Sequence, residues 1–277
     1  MTTARRRSSG RKTMADYTLA LDTDAIDRLN TMAAAARAFE APAWAEAGIT
    51  RGATVLDVGC GTGALLGEFA KLVGPDGRAI GLDSSEAAVK ASMAYLAHLD
   101  VPQASVSLGD VFDCELESGR FDAAHLRLLL IHLGCCVTEL LAVIRSLVRP
   151  GGHVVLTDVD GPSCGLSETI PDLEELMQAW LRMMSGRGND VRIGVHLPAL
   201  AHAAGFEVVS FRGAMTIIPP SATFRLPHWE ARAAIIADGV ASQADVDRWE
   251  PIVREFMTTR TSYFSLPLYT LVARRPA

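Results

Sequence analysis

Val55-Leu56-Asp57-Val58-Gly59-Cys60-Gly61-Thr62-Gly63 is a β-rich apolar run that passes directly into a turn with glycine at alternate positions, and a helical stretch over Gly63–Val73 follows at once. Glycine in such a turn tolerates positive φ and carries no Cβ to keep a ligand away from the backbone. The helix that opens behind it presents N–H groups that no helical carbonyl uses. A buried strand, a glycine turn and a helix start, in that order, predict a ligand cradle at the carboxyl end of a strand.

The same rhythm continues outward from this stretch. Strands are predicted at Thr54–Val58, Arg78–Leu82, Ser105–Leu108, Phe121–Leu126 and His153–Asp158, with helices at Gly63–Val73, Glu86–Leu99 and Cys136–Val148 between them. Alternating strands and helices mean βαβ units and a parallel sheet covered on both faces. Gly74-Pro75-Asp76-Gly77 and Arg149-Pro150-Gly151-Gly152 read as the breakers that return the chain to the sheet. Upstream, Ile26, Leu29, Met32, Ala36 and Phe39 form a helical stripe within an alanine-rich segment, Asp22–Glu46. Beyond Asp160 a loop at Gly161–Gly165 leads to an amphipathic helix, Asp172–Gly186, carrying Leu173, Leu176, Met177, Trp180, Met183 and Met184 where a lid would sit. A helix at Leu197–Ala204, a strand at Phe206–Arg212, helices at about Phe224–Asp238 and Gln243–Thr259, and a last strand at Tyr263–Ala273 complete the reading. The expected organisation is a mobile basic arm (1–15) and one domain (16–277). The domain divides into an N-terminal helical lid (16–50), a ligand-binding core (51–160), a lid insertion (161–195) and a C-terminal part on the substrate side (196–277).

With 26 Lys+Arg against 32 Asp+Glu and 49% hydrophobic residues, the chain is a core-rich globular protein rather than a disordered one. The acidic balance speaks against a nucleic-acid partner held by clustered cations. The most apolar stretch, Leu126–Val137, is interrupted by Arg127 and His132, so no membrane span is expected. Five cysteines without a C-x-x-C pair give neither a zinc framework nor a disulfide scaffold and fit a reducing, cytoplasmic compartment.

Gly59-x-Gly61-x-x-Ala64 with Asp83 twenty residues past Gly63 also satisfies the dinucleotide pattern, so the turn alone leaves the ligand open. Asp110, in Gly109-Asp110-Val111 after the third strand, adds a second carboxylate that has no dinucleotide rationale, and no Tyr-x-x-x-Lys pair is present. Taken together, VLDVGCGTG, LDSS, GDVFD, FDAAHLRLLLIHL and LVRPGGHVVLTDVD resemble the class I S-adenosylmethionine-dependent methyltransferases, closest to the quinone-biosynthesis type and its small-molecule relatives. The resemblance is strong over 54–160 and weaker over the Arg192–Phe206 passage. It implies a Rossmann-like, seven-stranded, mostly parallel α/β sheet with an antiparallel last strand, helices on both faces and a helical lid. It also implies S-adenosyl-L-methionine as cofactor and S-adenosyl-L-homocysteine as product.

Carried over position by position, the resemblance puts Gly59, Gly61 and Gly63, flanked by Asp57 and Cys60, at the methionine and sugar part of the cofactor. Asp83 is placed at the ribose, Ser84 beside the adenine, and Asp110 with Val111 at the adenine edge. His125, Leu126 and Arg127 follow the fourth strand toward the methionine and substrate end, Arg127 as a bidentate partner for the cofactor carboxylate. Tyr17 resembles an N-terminal tyrosine that closes over the methionine. A base is needed only for an acceptor that loses a proton. His132 is the first choice and Asp158 the second, ahead of Asp160, His196 and His228. No metal is expected. The Met and aromatic residues of the lid helix, with Phe224, Trp229 and Phe264, read either as core or as a pocket wall, and as a wall they imply a mostly apolar or aromatic small-molecule acceptor methylated on oxygen, nitrogen or carbon. The alternatives are a non-methylating use of the same cofactor, such as a cyclisation, and an NAD-dependent oxidoreductase. A homodimer is a mild base-rate preference.

Overall fold

A computed structural model describes residues 36–113, 115–219, 226–259 and 262–277. Tyr17, the arm, the first part of the N-terminal stripe and Phe224 lie outside the described residues. Eight strands form one sheet: β1 (Thr54–Val58), β2 (Arg78–Asp83), β3 (Ala104–Leu108), β4 (Phe121–Arg127), β5 (Val148–Val159), β6 (Gly165–Leu166), β7 (Glu207–Ile218) and β8 (Phe264–Arg274). Their order is β3-β2-β1-β4-β5-β8, with β7 on the far side of β8 and β6 pairing the start of β8 beyond the end of β5. β1 to β5 run parallel, and β8 is antiparallel to its neighbours β5 and β7.

Helices cover both faces: α1 (36–46), α2 (Ala64–Val73), α3 (Glu86–Leu99), α4 (Val137–Leu147), α5 (Pro171–Gly186), α6 (Ile193–Ala203), α7 (Pro227–Glu230), α8 (Arg232–Ala237) and α9 (Gln243–Thr258). The expected α/β architecture and the antiparallel last strand are present. Four expectations change. The sheet has eight strands rather than seven, because two residues of the loop after Asp160 pair with β8. β5 already begins at Val148, so Arg149–Gly152 lies within a strand whose pairing with β4 slips between Phe121 and Ala123. β7 runs on to Ile218, and the single helix expected over 224–238 is two short ones, α7 and α8.

The two-residue period of the strands sorts the core. Leu56, Val58, Leu126, Val154 and Leu156 face α4, α5 and α6, where they meet Leu140, Ile144, Leu176 and Leu197. Val55, Ala79, Ala123, Val155 and Val272 face the other layer and meet Trp44 of α1 and Leu66, Phe69 and Ala70 of α2. On this second face the alternation turns polar at the carboxyl ends. Asp57 and His125 stand side by side in register, and Arg127, Thr157 and Thr270 form the next row. No described helix is long and apolar enough to cross a membrane.

Candidate active site

The turn between β1 and α2 carries positive φ at Gly59 (70°), Gly61 (55°) and Gly63 (77°). Space above Gly61 is open: a Cβ built there meets nothing within 4 Å. A Cβ on Gly63 would instead collide with the buried Ser92 of α3, so that glycine allows the two helices to close behind the turn. Asp83, the last residue of β2, fixes the cradle from the neighbouring strand. Its Oδ2 accepts the Gly61 N–H at 2.9 Å and its Oδ1 accepts the Ser85 N–H at 2.9 Å. Burial raises the Asp83 pKa against the lowering effect of those N–H groups, a condition that further donors would relieve. The Gly109 N–H bonds the Asp83 carbonyl at 2.9 Å and brings Asp110 to the next strand end, where its Oδ1 accepts the Phe112 N–H at 3.0 Å. Gly59, Gly61, Gly63, Asp83, Ser84 and Asp110 thus line consecutive carboxyl ends of β1, β2 and β3, the position at which open α/β sheets bind ligands.

Other expected site residues are placed differently. Asp57 points into the layer below and accepts from His125 Nδ1 at 2.8 Å, with both side chains buried. Cys60 is buried against Gly81 of β2. Val111 and Leu126 are core residues. Arg127 donates from Nε to Glu40 of α1 at 2.8 Å, so this nitrogen is committed within the protein rather than to a cofactor carboxylate. Glu40 also accepts from Thr157 Oγ1 at 3.1 Å and lies 3.8 Å from His125 Nε2. Two carboxylates therefore hold His125 as an imidazolium with a pKa raised to about 9 against its burial, while His125 and Arg127 keep Glu40 ionised and its pKa low. Sequence reasoning missed Glu40 altogether.

Leu128, just past β4, has φ of 52°, an unfavourable backbone for a residue with a Cβ, and its N–H is held by the Thr157 carbonyl at 2.8 Å. The following residue, Leu129, packs over Gly59. Leu130–His132 then form a 3-10 turn that sets His132, half-buried, at the carboxyl end of β4. Asp158, the second choice of base, lies wholly buried beneath this turn. Its Oδ2 accepts the Ile131 N–H at 3.2 Å and its Oδ1 the Val159 N–H at 2.9 Å, while burial pushes its pKa up to about 7. The geometry makes Asp158 the anchor of the turn that carries His132. Asp160 pairs with Arg192 and Ser163, and His196 with Asp190.

Trp180 of α5 and Phe264 of β8 meet His228 of α7 edge to face, at ring-centroid distances of 4.9 and 5.7 Å. His228 is buried, its Nδ1 has no hydrogen-bond partner, and burial lowers its pKa to about 4. A histidine neutral in the fold but protonated below pH 6.5 when unfolded supports the fold above pH 6.5, and that support is lost as pH falls through about 4. His228→Phe is therefore expected to melt higher than the wild type by about 2–4 °C for each kcal/mol gained. Removal of the orphaned nitrogen is worth about 1 kcal/mol or more, and the gain should widen toward acid pH in thermal melts. A gain that does not vary with pH would contradict this account.

Residues 49–226, more than half of the chain, match the family model described as a methyltransferase domain. A protein of transposon TN4556 from Streptomyces fradiae is 38% identical over 176 residues, covering 63% of this chain and 47% of that protein. Nocamycin O-methyltransferase from Saccharothrix syringae is 37% identical over 109 residues, 38% of each chain. The chain thus spans less than half the length of these two relatives. Among solved structures, a SAM-dependent methyltransferase from Aquifex aeolicus superposes with a TM-score of 0.54 at 15% identity, covering 92% of this chain and 99% of that one. The [4+2]-cyclase SpnF gives 0.53 at 20% identity, with coverage of 98% and 88%. The glycine cradle with its two strand-end carboxylates, the strand order and the family match agree: the chain belongs to the S-adenosylmethionine-dependent methyltransferases.

Proposed function

We propose that this chain transfers the methyl group of S-adenosyl-L-methionine to an oxygen, nitrogen or carbon nucleophile of a mostly apolar small molecule. The observation that carries the reading is the open, positive-φ turn at Gly61 tied to the Asp83 carboxylate. When bound, the cofactor supplies an electrophilic methyl group on a sulfonium. The residues present fit it: Asp83 offers acceptors to the ribose hydroxyls, Ser84 flanks the base, and Asp110 accepts at the adenine edge beside Val111. The turn from Gly59 to Gly63, with Asp57 and Cys60 behind it, takes the methionine and sugar part, and Arg127, held at Nε by Glu40, stays near the carboxylate end.

Alignment of nucleophile and methyl group in a water-poor site supplies most of the acceleration such a reaction needs, of order 7–11 kcal/mol in well-oriented model systems. His132 is proposed to take the acceptor's proton where one must leave, on a turn held in place by Asp158. The apolar side chains of α5, with Trp229 and Phe264, pack in the buried core rather than around a cavity, so the apolar acceptor is proposed from the likeness to small-molecule methyltransferases. The acidic composition and the lack of a C-x-x-C pair in the sequence fit a cytosolic enzyme without a nucleic-acid partner.

Calorimetric titration with S-adenosylmethionine, S-adenosylhomocysteine and NADH tests the reading. Binding of the two adenosyl-sulfur compounds without NADH is expected, and binding of NADH alone would overturn it. With an acceptor in hand, one S-adenosylhomocysteine should be released for each methylated product.

A further inference from the structure

Strand β7 closes the sheet on one side, and its outer edge has no strand beside it among the described residues. Its two faces differ. Ser210 and Arg212 lie on the α1 face, where both bond Glu46 at 2.6 and 2.7 Å. The opposite face is apolar and, among the described residues, covered only in part by α6: Phe211, Met215 and Ile217, with Val208 and Val209 at the bulge that opens the strand, are between 40% and 55% exposed. Natural sheet edges are usually blunted by lysine, proline, short length or a covering element. This one is twelve residues long, and its only cation is turned to the other face and paired.

We infer that β7 is the dimerisation edge of this protein and that its occupant is β7 of a second copy, antiparallel about a two-fold axis through Gly213. The sequence is self-complementary in that register. Phe211 falls opposite Met215 of the second copy, Ile217 opposite its Val208–Val209 bulge, Arg212 opposite Ala214 and Ser210 opposite Thr216, so apolar side chains meet on the apolar face and no like charges oppose. Gly213 opposite itself leaves room at the axis for Tyr269, whose ring crowds the space a Cβ on Gly213 would take and stacks on Phe211. No charge on the apolar face would specify a different, charged partner. The two sheets become one continuous sheet, and the two cofactor cradles, built on the ends of β1 to β3, stay clear of the seam. A seam of about eight residues runs roughly 26 Å.

Sedimentation velocity of the full chain across the micromolar range is expected to show a monomer–dimer equilibrium. Phe211→Lys should shift it to monomer by facing a lysine against Met215, with far-UV circular dichroism and S-adenosylmethionine affinity unchanged. Adding Met215→Glu to that variant places lysine opposite glutamate twice across the axis, and should restore the dimer at low salt and lose it at high salt. A wild type that stays monomeric throughout, or a Phe211→Lys variant that still dimerises, would overturn the interface. A double variant that remains monomeric at low salt would overturn the register and with it the proposal.

Discussion

Replacing His125 by leucine is expected to lower the stability of the fold by about 3–5 kcal/mol, the loss that follows when one partner of a buried ion pair is removed and the other charge stays behind. Two carboxylates are stranded here rather than one, since Asp57 loses the partner 2.8 Å away and Glu40 keeps only Arg127 and Thr157. At about 2–4 °C per kcal/mol for a chain of this size, the melting temperature should fall by about 6–20 °C. The pH dependence identifies the cause. The folded-state pKa of His125, about 9, lies above its ordinary value of 6.5. Its contribution is therefore full below pH 6.5 and is lost as pH rises through about 9. Wild-type melts should decline across that window, and the leucine variant should lack that part of the slope. Glu40, with its lowered pKa, acts in the opposite sense and loses its contribution as pH falls. A variant as stable as the wild type at pH 6 would show that the buried charges are not coupled as described.

The cluster also explains what could and could not be read along the chain. The glycine turn, Asp83 at the end of β2 and the strand–helix alternation from β1 to β4 are local patterns, legible from spacing alone. Glu40 carries no local signal: in the alanine-rich stripe a lone acid reads as part of a solvated face, and its partners are 87 and 117 residues away. Asp57 was credited to the ligand because it adjoins the glycine turn, yet in a strand the neighbouring residue points to the opposite face, and register with β4 delivers it to His125. Arg127 is placed at the cofactor end by the resemblance, with pairing to a nearby acid as the alternative, and its Nε pairs with Glu40. Asp158 looked like a base because carboxylates at strand ends often are, whereas the hydrogen bond to Ile131 that makes it an anchor depends on how the chain turns after β4. β6 and the second half of β7 exist only because β8 extends past the end of β5 and offers a partner.

The largest effect on ligand binding is expected at Asp83. Asp83→Ala removes the acceptor that holds the Gly61 N–H and, in the proposed complex, the charged acceptor for the ribose hydroxyls. A hydrogen bond to a charged group is worth about 1.5–3 kcal/mol, so affinity for S-adenosylmethionine should fall by about 10- to 150-fold. The fold should suffer less, because the turn and the Ser85 N–H lie near the open side of the sheet, where water can replace the lost acceptor. Asp83→Asn keeps one carbonyl oxygen but sets an amide NH₂ against a backbone N–H, and should lie between alanine and wild type. Burial raises the pKa of this carboxyl, and hydroxyl donors favour its ionised form. Wild-type affinity should accordingly weaken as pH falls through the range where Asp83 takes up its proton, and Asp83→Asn should lack that dependence. Calorimetry with S-adenosylhomocysteine at several pH values separates the two effects. If the alanine variant bound as tightly as the wild type, the cradle would have to hold its ligand through the backbone of the turn alone, and Asp83 would be a support for Gly61 rather than a contact to the cofactor.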